Sequence, residues 1–148
     1  MDERIGRLIF GVFNEIGIID QLATTLFEAR MPKGLLAGHF GVLNNLTRVR
    51  DGRTPLELAQ AFQVPKTTMS HTLAGLEKRG LVELRPNPRD GRSKCVWLTQ
   101  AGRDLRESLI AEMAPDMAML AERFDVTRLE AVLPVLEDLR AVLDAARD

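Results

Sequence analysis

Apolar residues recur at intervals of three and four over most of the chain, which is the period of an amphipathic helix. Residues 5–29 form the first such segment. Met31-Pro32 interrupts it, because the residue before a proline is disfavoured in the helical region. A second helical run occupies residues 33–49, and a long periodic region occupies residues 99–148. The pattern predicts a mainly α-helical protein with long helices at both ends of the sequence.

Two prolines divide the C-terminal helical region. Pro115 is expected to kink or break it and Pro134 to bend it, since proline removes a backbone donor and clashes with the preceding turn. Thr99 is a candidate cap for the first of these helices. The sequence TRLE at residues 127–130 matches a capping box, which predicts the start of the last helix.

Two short helices are predicted in the middle of the chain. TPLELAQAF at residues 54–62 offers Thr54 as a cap, a proline at the first helical position and Glu57 three residues after the cap. We expect Leu56 to be buried on this helix. PKTTMSHTLAGLEKR at residues 65–79 predicts the second helix, which ends before a glycine. Two short helices joined by a tight turn are typical of a helix-turn-helix.

The hydrophobic period changes to two after this helix. LVELR at residues 81–85 and KCVWL at residues 94–98 alternate as strands do, and NPRDG between them signals a turn. The segment predicts a β-hairpin with a basic tip stiffened by two prolines. Its position directly after the helix-turn-helix makes residues 85–98 a wing.

Charge sharpens this picture. The 148 residues carry a net charge of -1, yet residues 65–94 contain seven bases and three acids, so the remainder is acidic. A basic block in an acidic chain indicates a local anionic partner. A single cysteine permits no intrachain disulfide, and no apolar run approaches the ~18 residues that span a bilayer. Because MDERIGRLIF does not match a signal peptide, we expect a soluble cytoplasmic protein with no membrane partner.

The chemistry of these elements favours binding to double-stranded DNA. A helix fits the major groove, where its first residues reach base edges. The candidate contacts on the second short helix are Lys66, Thr67, Thr68, Ser70 and His71. Thr54 is a candidate phosphate contact at the start of the preceding helix. A hairpin tip with arginine suits the narrow minor groove, and the candidate wing residues are Arg89, Asp90, Arg92 and Lys94.

The wing also resembles a known family. Asp90-Gly91-Arg92, five further residues and then Leu98-Thr99-Gln100-Ala101-Gly102 match the signature D-x-R-x5-L-T-x-x-G of the MarR-type winged helix-turn-helix regulators. The order of elements is similar over essentially the whole chain. Upstream, LEKRGLVEL at residues 76–84 is similar to the usual exit from the recognition helix into the wing.

The resemblance implies one MarR-like domain over residues 1–148. Residues 5–29 and 99–148 would be dimerisation helices, and about 33–98 the winged helix-turn-helix lobe. It implies a homodimeric regulator, more often a repressor, that binds a pseudo-palindromic operator and is relieved by a small-molecule effector. Asp90 would brace the wing by pairing with arginine, while Arg92 would reach toward the minor groove. Whether Arg89 or Arg92 enters that groove stays open.

Other interpretations remain at this point. A winged helix also serves as a protein-interaction adaptor that does not read DNA sequence, and the polar stripes also fit a solvated surface. No nucleophile elbow, phosphate-binding loop or zinc-ligand spacing is present, so we expect no enzymatic activity, no cofactor and no metal. Cys95 in the wing is more typical of packing than of redox sensing, and His39 of a core or interface position than of ligand contact.

Overall fold

The computed structural model describes residues 2–147. Within this range the chain forms seven helices and one two-stranded antiparallel sheet, which confirms the predicted winged helix-turn-helix with flanking helices. The helices are α1 (Glu3–Glu28), α2 (Ala37–Arg48), α3 (Pro55–Phe62), α4 (Lys66–Lys78), α5 (Gln100–Glu112), α6 (Ala114–Arg123) and α7 (Val126–Ala145). The strands are β1 (Val82–Pro86) and β2 (Lys94–Leu98).

The chain divides into two compact units, one up to Met113 and one from Ala114 onward. The first unit contains α1 to α5 and the hairpin, and the second contains α6 and α7. α5 thus groups with the winged helix-turn-helix. The single MarR-like domain and its lobe boundaries stay a prediction.

The core of the first unit joins α2, α3, α4 and the hairpin. Each of these helices has a fully buried leucine (Leu43, Leu58 and Leu76), and Val96 of β2 belongs to the same buried cluster. Burial of side chains of this size stabilises a fold by roughly 1.5–3 kcal/mol each. The helix pair and the wing therefore share one hydrophobic core, which fixes their relative position.

The start of α3 follows the sequence prediction. The Thr54 hydroxyl accepts the Glu57 N–H at 3.2 Å, and the Glu57 carboxylate accepts the Thr54 N–H at 2.7 Å, which completes the capping box. The expected burial of Leu56 is wrong, because 51% of this residue is exposed. Leu56 lies in the first turn and lines an open cleft, whereas Leu58 and Ala59 supply the buried face.

The hairpin pairs Val82 with Leu98 and Pro86 with Lys94, which leaves residues 87–93 as its tip. The backbone of Arg53 adds an isolated bridge to Val96 on the free edge of β2. Cys95 is buried in β2 rather than presented to solvent.

The junction between the wing and α5 explains the second half of the sequence signature. The Thr99 hydroxyl donates to the Gly80 carbonyl at 2.6 Å and accepts the Gly102 N–H at 3.1 Å. A Cβ on Gly102 would lie closer than 3.0 Å to the Leu81 carbonyl oxygen. The close approach of the first turn of α5 to the Leu81 carbonyl therefore requires a threonine cap and a glycine three residues later.

The C-terminal helices confirm one proline effect and correct one cap. α5 ends at Glu112 and α6 begins at Ala114, so Pro115 falls in a first turn, where proline is tolerated. The predicted capping box at residues 127–130 is wrong. Asp125 caps α7 instead and accepts both the N–H and the hydroxyl of Thr127, at 3.0 and 2.6 Å.

Large apolar side chains remain exposed along both terminal helices. On α1 the exposed ones are Ile5, Leu8, Ile9, Phe10, Val12, Phe13, Ile16, Ile18, Ile19, Leu22 and Leu26. On α7 they are Val126, Leu129, Val132, Leu133, Val135, Leu136, Val142 and Leu143. Faces this apolar are unusual on a monomeric protein surface.

Candidate nucleic-acid interface

The first two turns of α4 present a polar face to solvent. Its buried stripe consists of Met69, Leu73 and Leu76, which pack into the core. The five side chains that the sequence predicts for DNA contact are all exposed: Lys66, Thr67, Thr68, Ser70 and His71. The core therefore packs against the apolar side of α4, and the polar side of its N-terminal half is exposed to solvent.

A cleft of about 560 Å³ lies between this end of α4, the start of α3 and the wing. Six of the ten predicted site residues line it: Thr54, Lys66, Ser70, Asp90, Arg92 and Lys94. Three of these are cations and one is an acid, so the cleft favours an anionic occupant. Leu56 and Leu84 add an apolar portion to its lining.

Short hydrogen-bonded turns organise the wing tip. The Asn87 side chain donates to the Ser93 hydroxyl at 2.9 Å and accepts the Arg89 N–H at 3.0 Å. Asp90 accepts the Arg92 N–H at 3.0 Å through its side chain and the Ser93 N–H at 3.1 Å through its carbonyl. Asp90 therefore braces the wing, but through the backbone of Arg92 rather than by pairing with a guanidinium as the resemblance implied.

The two wing arginines point to different places. Arg92 lines the cleft beside α4. Arg89 lines a smaller pocket of about 250 Å³ beneath the wing, together with Arg50 and Trp97. Both arginines are exposed, yet only Arg92 shares a cleft with Lys66.

The N-terminus of α3 is less open to phosphate than the sequence suggested. The Thr54 N–H and hydroxyl are both engaged with Glu57. The hydrogen bond from the Thr54 N–H also lowers the pKa of the Glu57 carboxyl, which keeps it charged. Arg50 pairs with that carboxylate at 2.9 Å. A DNA contact by Thr54 stays a prediction. A phosphate bound there would lie close to the negatively charged carboxylate of Glu57.

His39 lies where α2 meets α4. Its Nδ1 accepts the Leu36 N–H at 2.9 Å at the start of α2, and its Nε2 would lie 3.1 Å from a Cβ on Gly75. Burial lowers the pKa of His39, and the nearby Arg79 and His71 lower it further. The side chain therefore contacts α4, and a core or dimer-interface position stays a prediction.

Sequence reasoning missed the residues that hold the wing. RDGR at residues 50–53 has the composition of a turn, whereas in the structure Asp51, Gly52 and Arg53 all contact β2. An acid followed by a glycine in a short interhelical loop was the available signal. Contacts with a strand more than forty residues later are not visible in it.

The comparisons with known proteins agree with this geometry. Residues 33–93, which contain the helix pair and most of the wing, match the model of the MarR family. The transcriptional activatory protein BadR of Rhodopseudomonas palustris is 27% identical over 155 residues, which cover 97% of this chain and 85% of BadR. Over its helix pair and wing, the chain is therefore similar to the MarR family.

Three further comparisons agree with this likeness. The HTH-type transcriptional repressor YetL of Bacillus subtilis is 28% identical over 117 residues, covering 78% of this chain and 70% of YetL. The crystal structure of the MarR family transcription regulator SP03579 superimposes with a TM-score of 0.73 at 25% identity, covering 98% of this chain and 97% of that one. MarR from E. coli complexed with operator DNA has a TM-score of 0.72 at 24% identity, covering 88% and 94%.

These findings support a MarR-family transcription regulator. The relatives named here are transcription regulators and not enzymes, which confirms the expectation from the sequence that this protein is not an enzyme. Over residues 2–147, no helix has the length and apolar character needed to cross a membrane.

Proposed function

We propose that this regulator binds a pseudo-palindromic DNA operator as a homodimer in the cytoplasm. The recognition helix, residues 65–79, enters the major groove, and the wing, residues 85–98, lies at the minor groove. The observation that carries the proposal is the cleft where Lys66, Arg92 and Lys94 converge beside the exposed polar face of α4. A phosphodiester backbone that passes from one groove to the next fits between these cations.

Arg92 is the wing arginine that we propose for the minor groove. It shares the cleft with the recognition helix, and Asp90 fixes its backbone. Arg89, on the other side of the wing, is proposed to contact phosphate. Narrow minor grooves concentrate negative potential, which favours an inserted guanidinium.

The homodimer is supported by the exposed apolar faces of α1 and α7. Exposed residues such as Ile9, Phe13 and Leu133 destabilise a monomer in water, and a second copy of the chain removes them from solvent. A two-fold dimer also presents two recognition helices to two half-sites one helical turn apart.

We propose further that the protein acts as a repressor relieved by a small-molecule effector. YetL is named a repressor and BadR an activatory protein, so a reporter gene behind the operator decides the sign. Reporter expression rises on deletion of the regulator if it represses and falls if it activates. The effector proposal follows the family alone, and such a ligand has to bind the DNA-free and DNA-bound states with different affinity.

Selection from a random duplex DNA library tests the proposal. The full chain is expected to enrich a palindrome whose half-sites are about 10 base pairs apart, centre to centre. A matched selection with Ser70→Ala and His71→Ala together is expected to enrich a degenerate motif or none, because those side chains face outward on the recognition helix.

Two results contradict the proposal. Recovery of no motif by the wild-type chain, with only weak and sequence-independent binding, favours the adaptor interpretation. Recovery of one unchanged palindrome by both proteins removes Ser70 and His71 from base recognition.

A further inference from the structure

Asp51 lies in the loop between α2 and α3 and is bound to two distant parts of the chain. Its Oδ1 accepts the Leu98 N–H at the end of β2 and the Gly52 N–H, each at 3.0 Å. Its Oδ2 accepts a hydrogen bond from the Arg103 guanidinium of α5 at 2.9 Å. One carboxylate therefore connects the interhelical loop, the wing strand and the helix that follows the wing.

The next two residues of the loop reinforce this connection. The Arg53 carbonyl accepts the Val96 N–H at 2.8 Å, which gives β2 a second neighbour on its free edge. Gly52 has a φ of 70° and lies under the Trp97 ring, where a Cβ would be 2.5 Å from Cζ2. The three residues fasten one strand at Val96, Trp97 and Leu98.

This fastening sets the position of the wing relative to the helix pair. β2 begins at Lys94, and the tip that holds Arg92 precedes it directly. The same loop leads into α3, which packs on α4. A loosened loop would let the wing turn about its base, and Arg92 would lose its alignment with Lys66 across the cleft.

We propose that Asp51, together with Arg103, is a positioning residue for DNA binding that acts through the wing. The inference rests on the proposed operator binding and adds a residue that does not itself contact DNA. If only the charge of Asp51 mattered, its removal would have the opposite effect on DNA binding. Removal of an acid from a protein that binds a polyanion strengthens binding, whereas loss of a positioning contact weakens it.

The test compares variants on the palindrome recovered for the wild-type chain, by fluorescence anisotropy. Asp51→Ala is expected to weaken binding about tenfold, since a misaligned Arg92 loses most of its contact with DNA. Arg103→Ala is expected to weaken binding similarly. In the Arg92→Ala background it is expected to leave the salt slope unchanged, because a guanidinium that touches no phosphate releases no counterion. Asp51→Asn keeps one oxygen for the Leu98 N–H, so it is expected to fold well and show a smaller loss.

A double-mutant cycle with Arg92→Ala separates positioning from general destabilisation. If Asp51 acts through the wing, Asp51→Ala is expected to weaken binding less than about twofold once Arg92 is absent. Glu107→Ala is the matched control, because it removes an exposed acid that pairs with a neighbouring arginine, Arg106, on the same helix as Arg103. It is expected to leave operator affinity unchanged.

Three outcomes overturn the inference while the proposed function stands. These are unchanged or tighter binding by both Asp51 variants, additive losses in the Arg92→Ala background, and a further fall of the salt slope by one when Arg103→Ala is added to Arg92→Ala. Failure of the wild-type chain to recover a palindrome overturns the proposed function itself, and the inference with it.

Discussion

Gly102→Ala is expected to destabilise the protein even though alanine is the better helix former. The added Cβ would have to move by more than about 1 Å to reach ordinary contact distance from the Leu81 carbonyl oxygen. Such a shift disrupts three hydrogen bonds at the junction, in which Thr99 N–H, Thr99 hydroxyl and Gly102 N–H are the donors. At about 1 kcal/mol each, their loss exceeds the ~1 kcal/mol gained in helix propensity.

With overpacking of about 1 kcal/mol added, the expected net loss is about 3 kcal/mol. The assay is urea unfolding followed by the fluorescence of Trp97, which is the only tryptophan of the chain. Gly38→Ala is the matched control, since Gly38 is helical and nothing lies within 4 Å of its added Cβ. The control is expected to be neutral or to stabilise by up to ~1 kcal/mol. A loss below ~0.5 kcal/mol for Gly102→Ala would show that the junction is not tightly packed.

Three further predictions address the interface, the assembly and pH. Arg92→Ala is expected to weaken operator binding and lower the salt slope by about one; an unchanged slope would remove Arg92 from phosphate and groove contact. Light scattering at micromolar concentration is expected to give twice the chain mass of 16.5 kDa, and Leu133→Glu a single chain; a wild-type monomer would refute the dimer. Because burial lowers the pKa of His39, the native state binds fewer protons there, and stability is lost as pH falls through and below the ordinary histidine pKa. Thermal unfolding from about pH 7.5 to about pH 5.5 is expected to show a smaller decline in His39→Gln than in wild type, and equal declines would contradict this contribution.

Local signals in the sequence accounted for most helix and strand positions. The Thr54 capping box, the threonine cap of α5 and the change of period after Gly80 each act over a few residues, so the sequence shows them directly. The expected DNA-facing side chains of α4 are exposed for the same reason, since a helical stripe follows from spacing.

Competition between neighbouring groups produced the misplaced cap. Asp125 and Thr127 are both suitable caps for the start of α7. In the structure the Asp125 carboxylate is the cap, and the Thr127 hydroxyl donates a hydrogen bond to it instead of accepting one from the helix. Asp90 likewise accepts a hydrogen bond from the backbone N–H of Arg92, two residues later, instead of pairing with a guanidinium. An Asx turn of this kind is the usual preference of aspartate in a tight loop.

Long-range contacts were out of reach of the sequence. Asp51 is hydrogen-bonded to Leu98 and Arg103, which lie 47 and 52 residues later in the chain. The residues RDGR at 50–53 do not predict those partners. The side of the wing on which Arg89 and Arg92 fall also depends on the tip turns. These contacts decide how the interface is held together, so the structure was needed to find them.

The central claim is that the α4 face and the wing together read one DNA sequence. The most direct measurement is the ratio of dissociation constants for a scrambled duplex and for the recovered palindrome, at equal length and about 0.15 M salt. We predict a ratio of at least ~10³, as specific operator binding requires. Equal affinity for the two duplexes would contradict the account.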